Sequence, residues 1–231
     1  MEQQNKKTSS SKNTNSSGEE GLTPVRVRHL VDTHKFLTPF FVLFLMWYFQ
    51  QFYNATMWTY LALHGTYGIL WIFKSNIIPD KTFEQRLSIV GVVTSALFLT
   101  SYWSSPFFIA KNGLNAPLFI RNLATVLWGT GLVIMYSADM QKTIELKHRR
   151  GHLITTGMFS LSRNINYFGE LLIYVGFNIL CIEKVIVPCV VMSSAIGFWF
   201  TRMLEKEKSL SRYPEFEEYK KRTAFFIPYL Y

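Results

Sequence analysis

The sequence predicts an all-α, polytopic integral membrane protein with about six transmembrane helices. Of its 231 residues 49% are hydrophobic, and the aromatic residues are abundant, with 20 Phe, 12 Tyr and 6 Trp. Membrane proteins enrich Trp and Tyr where their helices meet the lipid–water interface. The apolar residues also cluster into runs, and a helix needs about 20 such residues to cross a hydrocarbon core of about 30 Å.

Six apolar runs approach that length, at 36–53, 57–73, 87–110, 118–138, 166–182 and 185–201. Only Glu183 and Lys184 separate the last two runs, which predicts a tight helical hairpin. Residues 1–24 are rich in Ser, Asn, Lys and Glu and nearly devoid of apolar side chains, so a disordered polar tail is expected there. Residues 25–231 are predicted to form a single catalytic-type domain, with a cofactor region at 137–231.

The basic residues predict the orientation of these spans. The net charge is +9, and with six spans 21 of the 24 Lys and Arg residues fall on one side of the membrane. Only Lys111, Arg121 and Lys184 fall on the other. Because basic residues favour the cytosolic side, both termini are predicted to be cytosolic. No nucleic-acid recognition motif accompanies the charge, so the sequence excludes a nucleic-acid partner; no metal site is predicted either.

His64 and Tyr67 are the notable polar residues in the first half of the chain. They lie three residues apart within the second apolar run and therefore share a helical face. Gly65 and Gly68 make that face thin enough for close helix packing. The pair has two interpretations that the sequence leaves open: a packed structural pair, or the lining of a substrate cavity with Tyr67 as a proton donor.

Polar residues concentrate in the second half, above all in the stretch "SRNINYFGE" at 162–170. Asn166 and Glu170 lie at the start of a membrane-grade apolar run, where a carboxylate needs a partner. Arg149, Arg150 and Arg163 precede the same run. Cations beside a helix N-terminus favour anions, because the free N–H groups carry positive partial charge. A functional site that accepts a phosphate-bearing cofactor is therefore predicted here.

This stretch resembles an element of the steroid 5α-reductase C-terminal-like (DUF1295) and sterol reductase families, of the type Arg-His-x-Asn-Tyr-x-Gly-Glu. "SADMQK" at 137–142, "TTGMFSLSR" at 155–163 and the closing "EEYKKRTAFFIPYLY" resemble three further elements of these families, in the same order. The positions that carry the resemblance or its implied cofactor site are Asp139, Arg149, Arg150, Arg163, Asn166, Tyr167, Gly169, Glu170, Tyr213 and Tyr219.

The resemblance implies a membrane-embedded reductase of a steroid- or lipid-like enone, with NADPH reached from the cytosol and an apolar substrate from the bilayer. Arg163 and the Arg149–Arg150 pair would hold the phosphates. Asn166 and Glu170 would bind the nicotinamide or ribose. Tyr67 or His64 would polarise the substrate carbonyl. The endoplasmic reticulum membrane is the location that the resemblance implies.

The same segment is also similar to the isoprenylcysteine carboxyl methyltransferase and phospholipid methyltransferase families. These families carry an Arg followed five residues later by a Glu, a spacing met by Arg202 and Glu207. The resemblance then implies S-adenosylmethionine as cofactor. Both groups usually have a His where this chain has Asn164, and Asn cannot titrate. A third hypothesis, a non-catalytic or degenerate membrane subunit, follows from that departure.

Overall fold

Helices dominate the structure, a computed structural model that describes residues 21–184 and 186–230. The bounds of the helices are α1 Val27–Tyr48, α2 Ala55–Ile77, α3 Ile89–Ser101, α4 Ser104–Asn112, α5 Leu118–His148, α6 Ile165–Ile179, α7 Ile186–Leu210 and α8 Phe216–Arg222. Two short 3₁₀ turns, Gly157–Ser160 and Ile182–Lys184, precede α6 and α7. Each of the six predicted apolar runs falls on one of these helices or on the α3–α4 pair.

Three helical stretches are long and apolar enough to cross a membrane: Val27–Tyr48, Ile89–Asn112 and Leu118–His148. Their outward surfaces are apolar as well. Phe40 on α1 is 56% exposed and Val133 on α5 is 67% exposed. An apolar surface of this extent is typical of contact with lipid. The membrane character predicted from composition is therefore supported, with three such stretches among the described residues.

The first and third helical stretches differ from their predicted bounds. Helix α1 begins at Val27, nine residues before the predicted start of the first span at residue 36. The third run is broken between α3 and α4 at Tyr102 and Trp103. Pro106 explains the break, because it has no N–H to donate to the carbonyl of Tyr102 one turn earlier.

A two-stranded antiparallel sheet is an addition to the predicted all-α fold. Strand β1 spans Leu22–Arg26 and strand β2 spans Arg86–Ser88, with Leu22 opposite Ser88. Thr23 donates a hydrogen bond to the carbonyl of Leu87 (2.8 Å). The polar tail was predicted to reach residue 24, but β1 already starts at Leu22; residues 1–20 lie outside the described part of the chain.

Glycines allow α5 and α6 to pack almost backbone to backbone. A Cβ atom on Gly131 would lie 2.5 Å from the carbonyl oxygen of Gly169, and one on Gly169 would lie 2.6 Å from the nitrogen of Met135. A Cβ on Gly176 would come 2.8 Å from the carbonyl oxygen of Ala124. This close packing fixes the height and rotation of α6, and hence the position of Glu170.

Candidate functional site

Ionisable side chains from four helices converge in the interior of the helical bundle. Lys35 comes from α1, Lys74 from α2, Asp139 from α5 and Glu170 from α6. Lys74 and Asp139 form an ion pair in which both side chains are largely buried, at 12% and 15% exposure. Charges at such depth persist only with partners, so this internal cluster is the first candidate for a site.

Lys35 is the most deeply buried cation of this cluster, with 4% of its surface exposed. Its ammonium lies over the ring of Tyr67, 3.9 Å from the ring centroid. The rings of Trp71 and Tyr174 are further away, at 5.4 and 5.6 Å. Cation–π attraction stabilises an ammonium in such a cage. No hydrogen-bond acceptor for this ammonium is present in the described residues.

Glu170 faces the cage from the side of α6. It is half-buried and interacts electrostatically with Lys74, Asp139 and Lys35. Asn166 lies one turn earlier on the same helix, so both side chains point the same way. The Oδ1 atom of Asn166 is buried and has no hydrogen-bond partner among residues 21–184 and 186–230. A ligand donor at this position would satisfy it.

The two predicted catalytic residues lie in different surroundings. Tyr67 is at the cluster, beneath the ammonium of Lys35 and within the electrostatic influence of Glu170. His64 lies in the aromatic core, stacked on Tyr60 with ring centroids 5.6 Å apart and packed against Phe177 at 4.6 Å. Both residues are almost fully buried. Of the two, Tyr67 is the one that the fold brings to the ionisable cluster.

Arg163 is part of a second cluster, which ties the loop before α6 to the C-terminal segment. Its Nε donates to Glu207 (2.8 Å), and its Nη1 donates to the carbonyl oxygens of Lys220 (3.2 Å) and Thr223. The residue is only 4% exposed. Its Nε and Nη1 are therefore bonded to the protein itself, while a phosphate contact of this guanidinium stays a prediction.

Residues next to Arg163 add further contacts between the loop before α6 and the C-terminal segment. Asn164 donates from Nδ2 to the carbonyl of Phe225 (2.9 Å), and Ser162 forms a parallel bridge with Ala224. The hydroxyl of Tyr219 donates to the carbonyl of Phe159 (2.7 Å), and its burial raises its pKa. Asn164 thus has a structural role that needs no titration, which accounts for an amide at this position.

The remaining predicted site residues are spread over the same end of the chain. Arg149 and Arg150 follow α5 and are exposed, and their side chains have no partner within the described structure. Arg202 is 3.6 Å from Glu205, and Tyr213 accepts a hydrogen bond from Arg212 (3.1 Å). Tyr167 packs with Trp199 in an apolar cluster between α6 and α7.

The family described as "Protein of unknown function (DUF1295)" matches residues 75–223. The chain belongs to the DUF1295 family. Among curated proteins, none matches it. Membership confirms the DUF1295 part of the resemblance, and the match begins well before the segment 137–231 that carried it. Because the function of DUF1295 is unknown, the match itself assigns no activity.

The DUF1295 match divides the internal cluster. Asp139, Asn166 and Glu170 lie inside residues 75–223, whereas Lys35, Tyr67 and Lys74 precede it. The internal cluster therefore joins the DUF1295 segment to helices that come before it. Only the folded chain reveals this, because α2 packs against α6 and the ammonium of Lys35 on α1 lies 5.6 Å from the ring centroid of Tyr174 on α6.

Sequence reasoning missed Lys35 and Lys206. Lys206 donates to the carbonyl of Arg163 and is part of the second cluster. Lys35 was placed just before the first span, which was expected to begin at residue 36. Its position directly before the apolar run that starts at Phe36 is the signal that could have found it, since a basic residue drawn into a membrane helix needs a partner.

Proposed function

We propose that the chain is a membrane-embedded reductase that uses NADPH to saturate the double bond of a lipid-like enone. The proposal includes six spans, cytosolic termini and a location in the endoplasmic reticulum membrane. The observation that carries it is the position of Tyr67, which lies beneath the ammonium of Lys35 and beside Glu170. A phenol in this setting suits proton donation to a carbonyl-bearing substrate.

The chemistry of the cluster follows from its charges. The ammonium of Lys35 over the ring face of Tyr67 would place a positive charge where the carbonyl oxygen of a bound enone develops negative charge. In enone reduction, Tyr67 would hydrogen-bond the carbonyl oxygen and deliver the proton that the enolate needs. Glu170, whose charge acts on Tyr67, would restore that proton afterwards. The Lys74–Asp139 ion pair would hold the surrounding charges in place.

The residues fit NADPH in two respects. The unpartnered Oδ1 of Asn166 can accept a hydrogen bond from a nicotinamide carboxamide. Arg149 and Arg150 are exposed cations available for phosphates. When bound, NADPH would supply the hydride for the alkene carbon β to the carbonyl. Arg163 would contribute indirectly, by linking the loop that leads into α6 to the C-terminal segment.

Methyl transfer is supported less by the contacts. That alternative needs Arg202 and Glu207 to orient S-adenosylmethionine together. Instead, Arg202 lies 3.6 Å from Glu205, whereas Glu207 accepts a hydrogen bond from Arg163. The two side chains thus have separate partners.

Cofactor binding by the purified full-length protein tests the proposal. NADPH at about a hundredfold excess over its Kd should stabilise the protein by about 2.7 kcal/mol in a thermal-shift assay. Arg149→Ala with Arg150→Ala should weaken NADPH binding by more than about tenfold, or about 1.4 kcal/mol. Lys220→Ala with Lys221→Ala is the matched control, because it removes two neighbouring exposed charges and should leave binding unchanged.

The possible outcomes separate the hypotheses. A shift with S-adenosylmethionine and none with NADPH would replace the reductase by a methyltransferase. No shift with either ligand would favour a non-catalytic membrane protein. If NADPH binds, Tyr67→Phe should retain that binding and lose activity by about 10²-fold or more, the usual contribution of a general acid.

A further inference from the structure

A groove of about 240 Å³ runs between α1 and α2 on the surface of the bundle. Its walls are apolar, and several of its side chains are exposed, among them Phe36 at 55%, Phe40 at 56% and Ile69 at 60%. In a membrane protein this surface faces the lipid. The groove lies wholly before the DUF1295 match, which starts at residue 75.

The shape of the groove follows from Pro39 and Gly65. Pro39 lies inside α1 and removes one of its backbone hydrogen bonds. Gly65 lies opposite, and a Cβ atom there would meet only the Cβ of Pro39, at 3.8 Å. The missing side chain leaves the space open. A larger residue at 65 would extend into the groove without meeting the backbone.

Lys35 and Gly68 are among the residues that line the groove. The backbone of Lys35 lies against Gly68, so this contact forms part of the groove lining. The ammonium of the same lysine lies over Tyr67. Lys35 therefore borders the lipid-facing groove and also contacts the ring of the proposed proton donor.

We propose that this groove receives the apolar chain of the substrate, with the carbonyl end of that substrate directed to Lys35. This inference rests on the proposed reductase function and specifies its substrate as a linear, long-chain carbonyl lipid. The ammonium of Lys35, which has no acceptor within the described residues, would donate to the carbonyl oxygen. Lys35 would then align the carbonyl with Tyr67.

The volume favours a narrow chain over a fused-ring body. Pockets that enclose drug-sized ligands usually measure about 300–1,000 Å³. At about 240 Å³, this groove is smaller and is open along one side, so it suits a single chain better than a sterol nucleus.

Photo-crosslinking in phosphatidylcholine vesicles tests the proposal without relying on NADPH or turnover. The probe is a long-chain methyl ketone with a diazirine in mid-chain, and the labelled residues are mapped by mass spectrometry. Wild-type protein should be labelled within 36–40 and 65–72. Gly65→Leu should fill the groove and lower this labelling by about tenfold, equivalent to about 1.4 kcal/mol.

Gly129→Leu is the matched control, because Gly129 lies on α5 and a Cβ there meets nothing within 4 Å. The ketone probe should label the groove of this variant to the same extent as in the wild type. The role of Lys35 is tested with Lys35→Met and a diazirine alkane of equal length. The variant should lose labelling by the ketone and retain labelling by the alkane.

Two results would overturn the proposal. Labelling spread evenly over the lipid-facing helices, and unchanged in Gly65→Leu, would show that the groove binds no chain. Equal labelling of the groove by a diazirine sterol would refute the preference for a linear lipid. Either result can occur while NADPH still binds, so a failure of this inference is distinct from a failure of the reductase proposal.

Discussion

The carbonyl oxygen of Lys35 faces Gly68 so closely that a Cβ atom on this glycine would lie 2.7 Å from it. This carbonyl would normally accept the helical hydrogen bond of residue 39, which is Pro39 and has no N–H. The proline frees the oxygen, and the glycine lets α2 approach it. Close Cα–H···O contacts of this kind are common at helix–helix interfaces.

Gly68→Ala should therefore be far more damaging than Gly65→Ala. The added methyl group at 68 collides with backbone, whereas at 65 it meets only the Cβ of Pro39 at 3.8 Å. Overpacking of this kind costs about 1–3 kcal/mol. Thermal unfolding in detergent provides the measurement. Equal melting temperatures for the two variants would show that α1 and α2 are not in close contact at Gly68.

The Lys74–Asp139 ion pair should be strongly coupled. Removing one partner by Lys74→Met leaves a buried charge and should cost about 3–5 kcal/mol, whereas Lys74→Met with Asp139→Leu should recover much of that loss. The exposed pair of Lys142 and Asp80, 3.8 Å apart with both side chains 44% exposed, is the internal control. Such exposed pairs contribute about 0–1 kcal/mol.

Double-mutant cycles on both pairs, followed by thermal or chemical unfolding, measure these couplings. A coupling energy for Lys74–Asp139 no larger than that for the exposed pair would contradict their burial in one ion pair.

Arg163→Met should release the C-terminal segment. The guanidinium bonds Glu207 and two carbonyl oxygens, so its loss leaves a largely buried carboxylate without its partner. The expected cost is about 3–5 kcal/mol. Trypsin should then cut after Lys220 and Lys221 faster than in the wild type. Arg150→Met is the control, because Arg150 is exposed and its loss should leave the cleavage rate unchanged. A similar rate in both variants would show that Arg163 does not hold the C-terminal segment in place.

Acid should destabilise the two-stranded sheet of β1 and β2. Glu84 accepts hydrogen bonds from Arg26 and Arg28, and the bond from Arg26 is the main reason that the pKa of this carboxyl is lowered. A lowered folded-state pKa means that the stabilisation is present above the unfolded value, about 4.3, and is lost as pH falls through the folded value.

Amide hydrogen exchange in β1 and β2, compared between neutral and acidic pH, measures this destabilisation. After correction for intrinsic exchange, protection should fall in acid in the wild type. Glu84→Gln should show lower protection already at neutral pH and little further change. If amide protection falls equally in the wild type and in Glu84→Gln, the acid effect arises from a titratable group other than Glu84.

Apolar runs predicted where the helices lie, but not where they begin. Helix α1 starts early because Asp32 and Lys35 remain inside the fold. Asp32 accepts hydrogen bonds from the Nε1 of Trp71 (3.1 Å) and the hydroxyl of Ser75 (2.8 Å). A hydropathy pattern predicts that such residues are exposed to water. It carries no information about partners on another helix that allow them to be buried.

The site was predicted in part. The i, i+4 spacing of Asn166 and Glu170 correctly indicated a shared helical face at the start of α6. The partners of Arg163 could not be foreseen, because they lie 44 to 60 residues later in the chain. The sequence predicts phosphate as a partner for this arginine, and the fold adds a carboxylate and carbonyl oxygens that accept hydrogen bonds from its Nε and Nη1.

The bridge between Ser162 and Ala224 has a consequence for biosynthesis. Arg163 and Asn164 acquire their partners only once residues 220–225 have been made. At about 5–20 residues per second, translation takes several seconds to cover that interval. During that interval the guanidinium of Arg163, just before α6, lacks the two carbonyl oxygens to which it donates in the folded chain. A ribosome that stalls before Glu207 has been made would leave a nascent chain in which the charge of Arg163 is unmatched, a feature that membrane quality control could recognise.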